Sequence, residues 1–564
     1  MAIFLILYPA GLAYSTCSLP DTIKVDTTIT GTCTLTKDLF INPGVTLTIT
    51  PPCTLYMAAL SDSKNLGDDP QRIEILVAGG FRVLGISGSN GRIVFRSNRS
   101  PSGNLGDWSG IVRVASTSSV RVNNAELMDG DITLYMVGAH DIIPYTRLDS
   151  VANSRFENWR THAVANTVES GLSESESSTL STTRDSLVIS GNIFSGRDSA
   201  IAFTHDFGIV IDSNQFLNQK SLSVHLDDYS GKIMRNYFYA DSSSSAIRVW
   251  GGGGSGGDSM VVGENVIEGY YGNAHIRVEG GAGGSASVPS FGFHIRGNKL
   301  ITGEKTLSSP YGLKTYYQAS TYKLLVRGNV FSKFDAGSIY SAAPAVGDDF
   351  GNVDSLSPGN NVFLLPCNGN ARAIVRQGTN PVKAEGNWYG TAVPDSSTLF
   401  YPVDKVDFQP FLTVPVIPFY GNLGRTSTWA AGNYTLEGDF TLDPCAALTL
   451  NPGVKILASA NKDLFHSGDD TTKCEFRVKG TLTSLGGLNA TDSILFTSAS
   501  PTPANGDWSG VVIDSFGRAN FEFTLFRYAD TALAVRGDTA TVVVYNSTFR
   551  NFDKAGVSSR SAKT

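Results

Sequence analysis

Apolar residues return two places after an asparagine through the middle of the chain. The series is Asn192-Ile-Phe194, Asn214-Gln-Phe216, Asn236-Tyr-Phe238, Asn265-Val-Ile267, Asn298-Lys-Leu300, Asn329-Val-Phe331, Asn361-Val-Phe363 and Asn387-Trp-Tyr389. Gaps between these asparagines are 22, 22, 29, 33, 31, 32 and 26 residues, the range in which self-similarity marks a stacked repeat. Beyond each asparagine, inward and outward positions alternate with the period of a strand. The shortest gap fits one coil of a parallel β-helix, and longer gaps add a loop to the coil. Asparagine suits such a corner in two ways: it tolerates left-handed backbone, and stacked amides can hydrogen-bond as a ladder. The predicted fold is all-β, a right-handed parallel β-helix solenoid.

A longer repeat lies over the short one. INPGVTL at 41–47 returns as LNPGVKI at 450–456, Phe81-Arg82-Val83 as Phe476-Arg477-Val478, and GDWSG at 106–110 as GDWSG at 506–510. Order is kept and the offsets stay between 395 and 409, which is a duplicated module. Pro-Gly supplies a tight turn between extended segments, and the Trp of GDWSG is placed to cover the end of a coil. Between the copies, GNWYG at 386–390 and a run punctuated from Pro394 to Pro418 interrupt pairing, because proline has no donor for the ladder. The expected division is a first β-helix with its closing segment over 16–418, and the start of a second, truncated one over 419–564. Residues 1–15 read as a signal peptide; alternatively Ile3 to Leu12 pack as a lid at the N-terminal end. An unfinished second solenoid would expose unpaired strand edges, so further chain or another chain is expected to cover it. Segments 168–184, 251–257 and 279–287 read as flexible side loops.

Composition narrows the class. A chain of 564 residues outgrows a single compact core, but a solenoid grows along one axis. Charged residues at 17% and 59 glycines suit short strands and turns. The net charge of −7 argues against nucleic acid as main partner, and no apolar run reaches the length needed to cross a bilayer. The six cysteines form no C-x-x-C pair, which speaks against zinc. In an exported chain they can form disulfides. Cys33 with Cys53 and Cys445 with Cys474 would each join adjacent coils, although spacing does not fix connectivity. Asn98, Asn433, Asn489 and Asn546 head glycosylation sequons.

NPGV, GDWSG, the Asn-x-Phe coils and the closing GNWYG together resemble the right-handed parallel β-helix repeat families, the superfamily that includes pectate lyases. The resemblance covers about 20–550. Pairing of a Pro-Gly/Trp opening module with a closing Asn-Trp-Tyr-Gly is most similar to the extracellular β-helix modules of bark beetle-type proteins, which are cell-junction ectodomains. That resemblance implies a secreted or surface-exposed scaffold whose partners are glycans or cell-surface proteins.

Enzymes on this scaffold place chemistry on an outer wall, so the wall was registered from the alternation. Ile201, Leu222, Ile247, Ile276 and Leu313 are expected inward, as are Phe203, Val224, Val249, Val278 and Thr315 two residues later. Ala202, Ser223, Arg248, Arg277 and Lys314 then form one outward column, and Thr204, His225, Trp250, Glu279 and Tyr316 the next. At about 4.8 Å per coil, Arg248, Arg277 and Lys314 would make a cationic strip flanked by Trp250, Glu279 and Tyr316. Such a strip suits an acidic glycan, with guanidinium forks for carboxylate or sulfate, and equally suits a solvated wall. Gly-Asp-Asp at 67–69, 347–349 and 468–470 could supply paired carboxylates, but two of the three occupy matching turns of the duplicated module, where Asp favours Asx-turns. His205-Asp206 and His225 to Asp228 could gather Ca2+ or supply a base. A polysaccharide lyase acting on uronate-containing glycans is the enzymatic alternative to a non-catalytic scaffold or adhesion module.

Overall fold

The computed structural model describes the chain apart from residues 1–11, 15–18, 89–90, 100–102, 116, 137–148, 167–186, 197, 205–206, 228–229, 252–258, 281–291, 304–309, 318–322, 343–347, 467 and 561–564. It divides into two compact units, Met1–Val261 with Gly283–Pro289, and Val262–Ala282 with Ser290–Thr564. Each is a parallel β-helix solenoid. Among the described residues, helix is confined to Ser396–Leu399 and a 3-10 turn at Val403–Lys405.

In the first unit, three series of parallel strands form the three walls. One runs through Gly80–Leu84, Ser119–Asn123, Asp149–Ala152, Leu187–Ser190 and Phe207–Asp212. A second runs through Ile93–Ser97, Ala125–Met128, Arg155–Glu157, Ile193–Ser195 and Gln215–Leu217. The third, the wall of the anticipated cationic strip, runs from Glu74–Val77 through Gly110–Arg113, Ile132–Met136, His162–Ala165, Ile201–Thr204 and Leu222–Asp227 to Tyr237–Gly251. Its inward positions stack Ile75, Ile111, Leu134, Val164, Ile201, Val224 and Ile247 one above another, all fully buried. Burying a side chain of this size stabilises by about 1.5–3 kcal/mol, so the apolar columns hold the coils together. Phe156, Phe194, Phe216 and Phe238 add a ring stack with centroids 5.0, 4.9 and 4.6 Å apart.

The asparagines supply the polar counterpart of these columns. In the first unit, Asn192 donates its side-chain amide to Asn214 Oδ1 (2.9 Å) and Asn214 donates to Asn236 Oδ1 (3.0 Å). In the second, Asn265, Asn298, Asn329, Asn361 and Asn387 continue the same pattern at 2.8–3.0 Å. All eight are buried. The corner's left-handed residue is the one before each asparagine: Gly191, Ser213, Arg235, Glu264, Gly297, Gly328, Asn360 and Gly386 all have positive φ. This corrects the expected backbone role, for the asparagine is placed by its amide and its neighbour absorbs the bend. Ser154 belongs to the ladder without being an asparagine: its N–H donates to Asn192 Oδ1 at 2.9 Å, and its Oγ accepts from Ala125 N.

The duplicated module recurs in three dimensions, but strand register corrects two of the motif matches. Phe476-Arg477-Val478 takes the place of Ile75-Leu76-Val77 and not of Phe81-Arg82-Val83. The turn equivalent to 42–45 is 443–446 and not the Asn-Pro-Gly turn after Leu450, because the same turn chemistry serves more than one corner of a coil. Strands Glu74–Val77, Gly110–Arg113 and Ile132–Met136 of the first copy correspond to Glu475–Val478, Gly510–Ile513 and Thr531–Arg536 of the second. Trp108 and Trp508 are fully buried and donate Nε1–H to Met128 O and Arg527 O at 2.8 and 2.9 Å. They brace one coil against the next inside the core and do not cover a coil end. Within the second unit, strands Phe419–Leu423 and Gly432–Leu442 open new sheets. Their Phe419, Leu423 and Tyr434, with Trp429 of the intervening strand Ser427–Trp429, pack with Val330, Val362, Leu364 and Trp388, all buried. Val330, Val362 and Trp388 are the middle residues of the Asn-x-aromatic repeats, outward positions that alternation alone assigns to solvent.

Disulfide pairing differs from the sequence expectation. Cys445 bonds Cys367, across 78 residues, while Cys474 and Cys53 are buried free thiols and Cys33 is bonded to neither of those two. Neighbouring coils do bring residues 33 and 53 near each other, but Cys33 pairs with Leu55 and Cys53 with Gly31 in strand register. The Cys445 turn lies beside the closing segment, where Gly424 sits against Pro366 and Cys367. The proposed signal peptide falls mostly outside the described residues; Leu12–Tyr14 form a strand parallel to Thr27–Leu35. Loop 168–184, loop 251–257 apart from Gly251, and most of 279–287 also lie outside them.

Candidate functional site

The wall carrying the anticipated strip shows a different register. Ile201 pairs with Val224 and not Leu222, so Ala202, His225 and Arg248 share a column, and Thr204, Asp227 and Trp250 the next. Ser223 lies elsewhere, buried with its Oγ donating to Gln219 Oε1 at 3.2 Å. The cause is the period of the strand: a shift of two residues leaves every side chain on its own face, so alternation cannot detect it.

In the first unit the result is a compact polar set. Arg248 Nη1 lies 2.8 Å from His225 Nε2, and that nitrogen lies 2.8 Å from Asp227 Oδ1. The Arg248 guanidinium stacks on the Trp250 ring at 5.2 Å, a cation–π contact of about 0.5–2 kcal/mol. In the second unit, Arg277 and Lys314 are register partners, as are Glu279 and Tyr316. Arg277 ion-pairs with the buried Glu279. Lys314 Nζ donates to Asn273 Oδ1 at 3.0 Å and lies 5.5 Å from the Tyr340 ring. Burial, and then the neighbouring Arg277, push the Lys314 ammonium below its usual range. Tyr316 is 49% exposed. The cations of both units therefore carry partners within the chain, and Tyr340, on the coil after Lys314, stands outside the columns that the alternation assigns.

The Gly-Asp-Asp turns have a clear structural task. In the first copy, Asp38 Oδ1 accepts from Glu74 N at 2.7 Å, while the Glu74 carboxylate accepts from Asp69 N at 3.2 Å. In the second, Asp439 Oδ1 accepts from Glu475 N at 2.7 Å, and Glu475 Oε1 accepts from Asp469 N and Asp470 N at 3.1 and 3.2 Å. The acids that matter are the buried Asp38, Glu74, Asp439 and Glu475, which no triplet signals. Burial pushes the Glu74 carboxyl up to about 7, and the Glu475 carboxyl is also raised by burial, against the opposing charge of Arg477. At the third triplet, Asp348 is buried with Arg376 and accepts from Thr315 Oγ1 at 3.3 Å.

His205, Asp206 and Asp228 lie outside the described residues. Among the described residues, no group of three or more His, Cys, Asp or Glu side chains is placed to hold a metal ion, and no helix is long and apolar enough to cross a membrane. Asn98, Asn433, Asn489 and Asn546 are all exposed. No protein-family profile matches the sequence, and no curated protein matches it either.

Proposed function

We propose that this chain is an extracellular, non-catalytic β-helix scaffold or adhesion module, of the kind that the bark beetle-type resemblance implies. The observation that carries this reading is the continuity of fixed contacts. Amide rungs, ring stacks and apolar columns tie each coil to the next within each unit, and the start of the second copy is clamped to the first by Cys367–Cys445. Each unit built in this way resists bending and transmits load, which suits a spacer. Contact with acidic glycans remains part of the proposal, with Arg248 and Trp250 available for it in the first unit and Lys314 and Tyr316 in the second.

A polysaccharide lyase is the second reading, and His225 favours it, because an imidazole between Asp227 and Arg248 can accept a proton beside a bound carboxylate. One assay separates the two. The chain is incubated with polygalacturonate, alginate and heparan at several calcium levels, and the ultraviolet absorbance of unsaturated uronate is followed. The scaffold reading expects a flat trace, together with stepwise high-force extension when single molecules are pulled. Product formation that His225→Ala abolishes would replace it with the lyase reading.

A further inference from the structure

The two copies of the module present the same outer-wall position with opposite content. In the first copy, Tyr135 stands over the wall between Val112 and Ala165, facing the Asp68 turn. In the second, the equivalent residue is Ala534, between Val512 and Ser558. Removing a phenol ring leaves an opening there, a cavity of ≈ 390 Å³ bounded on one side by the Asp469-Asp470 turn. That volume lies in the usual range for small-molecule sites.

Its lining has also changed in charge. Two residues beyond Ala534 comes Arg536, and two beyond Ser558 comes Arg560; counted along the sequence the first copy carries Val137 and Thr167, which lie outside the described residues. Arg536 and Arg560 are register partners on adjacent strands, so two guanidinium groups stand side by side at one coil spacing. Arg536 pairs with Asp469. No carboxylate among the described residues pairs with Arg560. Opposite them, Asp530 is held by Lys473 and Lys554 at 3.0 Å each. Between these rims, Ser509, Thr531 and Ser558 line the cavity, and Val512 and Ala534 give it a small aliphatic floor.

We infer that this cavity in the second copy is a binding site for a ring-sized, hydroxyl-rich anion, a sugar residue carrying a carboxylate or sulfate. The Arg536–Arg560 pair takes the anionic group, in the forked geometry that guanidinium offers such oxygens. Asp469, Asp470 and the hydroxyl side chains take the ring hydroxyls, and Ala534 keeps the ring's place open. The site stands on a different part of the chain from Arg248 and Lys314, so it holds whether or not the first copy's wall binds anything.

Titration calorimetry of the intact chain tests it, with glucuronate, a sulfated N-acetylglucosamine and neutral glucose as separate probes. Saturable binding of either charged sugar, with glucose at least tenfold weaker, is expected, and the stronger of the two identifies the anionic group. Ala534→Tyr, which restores the first copy's plug, should weaken binding at least tenfold, as should Arg536→Ala combined with Arg560→Ala. Tyr135→Ala should create no second site. Absence of binding by both charged sugars, or binding unchanged in both variants, overturns the inference. Should Ala534→Tyr not fold, the arginine pair variant, checked by its melting curve, decides alone.

Discussion

Removing one rung of the amide ladder should loosen the coils on either side far more than removing a surface charge. Asn329 is fully buried. Its Oδ1 accepts from Asn298 N and Asn298 Nδ2, both at 2.9 Å, and its Nδ2 donates to Ile295 O at 2.9 Å and Asn361 Oδ1 at 3.0 Å. Asn329→Ala strands the Asn298 backbone N–H and one proton of the Asn298 amide in a place water does not reach. It also takes a donor from Ile295 O and from Asn361 Oδ1, the latter keeping the N–H of residue 329. Each buried unsatisfied group costs about 1–3 kcal/mol, and relaxation recovers part, so roughly 3–5 kcal/mol is the expected local loss. Every 1.4 kcal/mol is about tenfold in an opening constant. Amides of Gly292–Arg296, Lys299–Thr302 and Lys323–Arg327 should therefore exchange hydrogen about a hundredfold to a few thousandfold faster. Exchange read by mass spectrometry is the suitable assay, because a long repeat array opens locally and not as one two-state unit. The exposed Lys323→Ala in the same coil is the control and should stay within about 0.5 kcal/mol of the parent. If both variants exchange alike, the ladder is decoration and its energetic role is refuted.

Other perturbations reach separate parts of the chain. His275 is fully buried between Tyr271 and Phe334, and burial lowers its pKa to about 3. A neutral imidazole that is protonated near pH 6.5 when unfolded gives stability that is full above that pH and falls as pH drops toward the folded value. At pH 5 the loss is about 2 kcal/mol, and His275→Leu should flatten that part of the melting-temperature profile. Cys53, whose thiol burial pushes up to about 12, and Cys474 should resist alkylation until the chain unfolds; labelling of either in the native state would refute their placement. Opening the Cys367–Cys445 bond by Cys367→Ser should destabilise the junction by about 4 kcal/mol for its 78-residue loop, read as faster exchange in Phe419–Leu423. Gly67→Ala puts a methyl 1.7 Å from Glu74 Oε2 and should lower the melting temperature by evicting that carboxylate from the turn; an unchanged melting curve would show that the carboxylate is not needed there.

The coil was legible in the sequence because its rungs repeat one chemistry. An asparagine with an apolar residue two places on can be counted without any structure, and the resulting spacing leads directly to parallel stacking. Register within the coil was legible unevenly: the columns joining Arg277 to Lys314 and Glu279 to Tyr316 were recovered across a long gap. Between Asn192 and Asn236 the gaps are equal, yet the wall strand still slipped by two at Leu222, since alternation carries no mark of absolute position. Serine in place of asparagine hid Ser154, and outward valines hid the seam at Val330 and Val362, because an exposed and a covered valine look alike in a chain. The disulfide was misjudged for a related reason: proximity of coils was read from sequence distance, whereas Cys367 and Cys445 meet through packing of one copy's start on another's closing segment.

Duplication gives the candidate sites a comparison that a single copy would not offer. Asp38 with Glu74 and Asp439 with Glu475 make the same bonds at the same distances, so those acids belong to the frame that both copies need to close their turns. Whatever differs on that shared frame is released from the structural task. Leu76 in one copy is Arg477 in the other, where it holds Asp514 and Glu475, and Tyr135 gives way to Ala534. A wall kept only for solubility has no need to exchange a covering ring for an opening rimmed by two arginines. Filling that opening would remain cheap in stability, because Tyr135 shows that the frame accepts the ring. Ala534→Tyr is accordingly a substitution that the fold should tolerate and a ligand should not, and this asymmetry is what separates a site from a gap in packing.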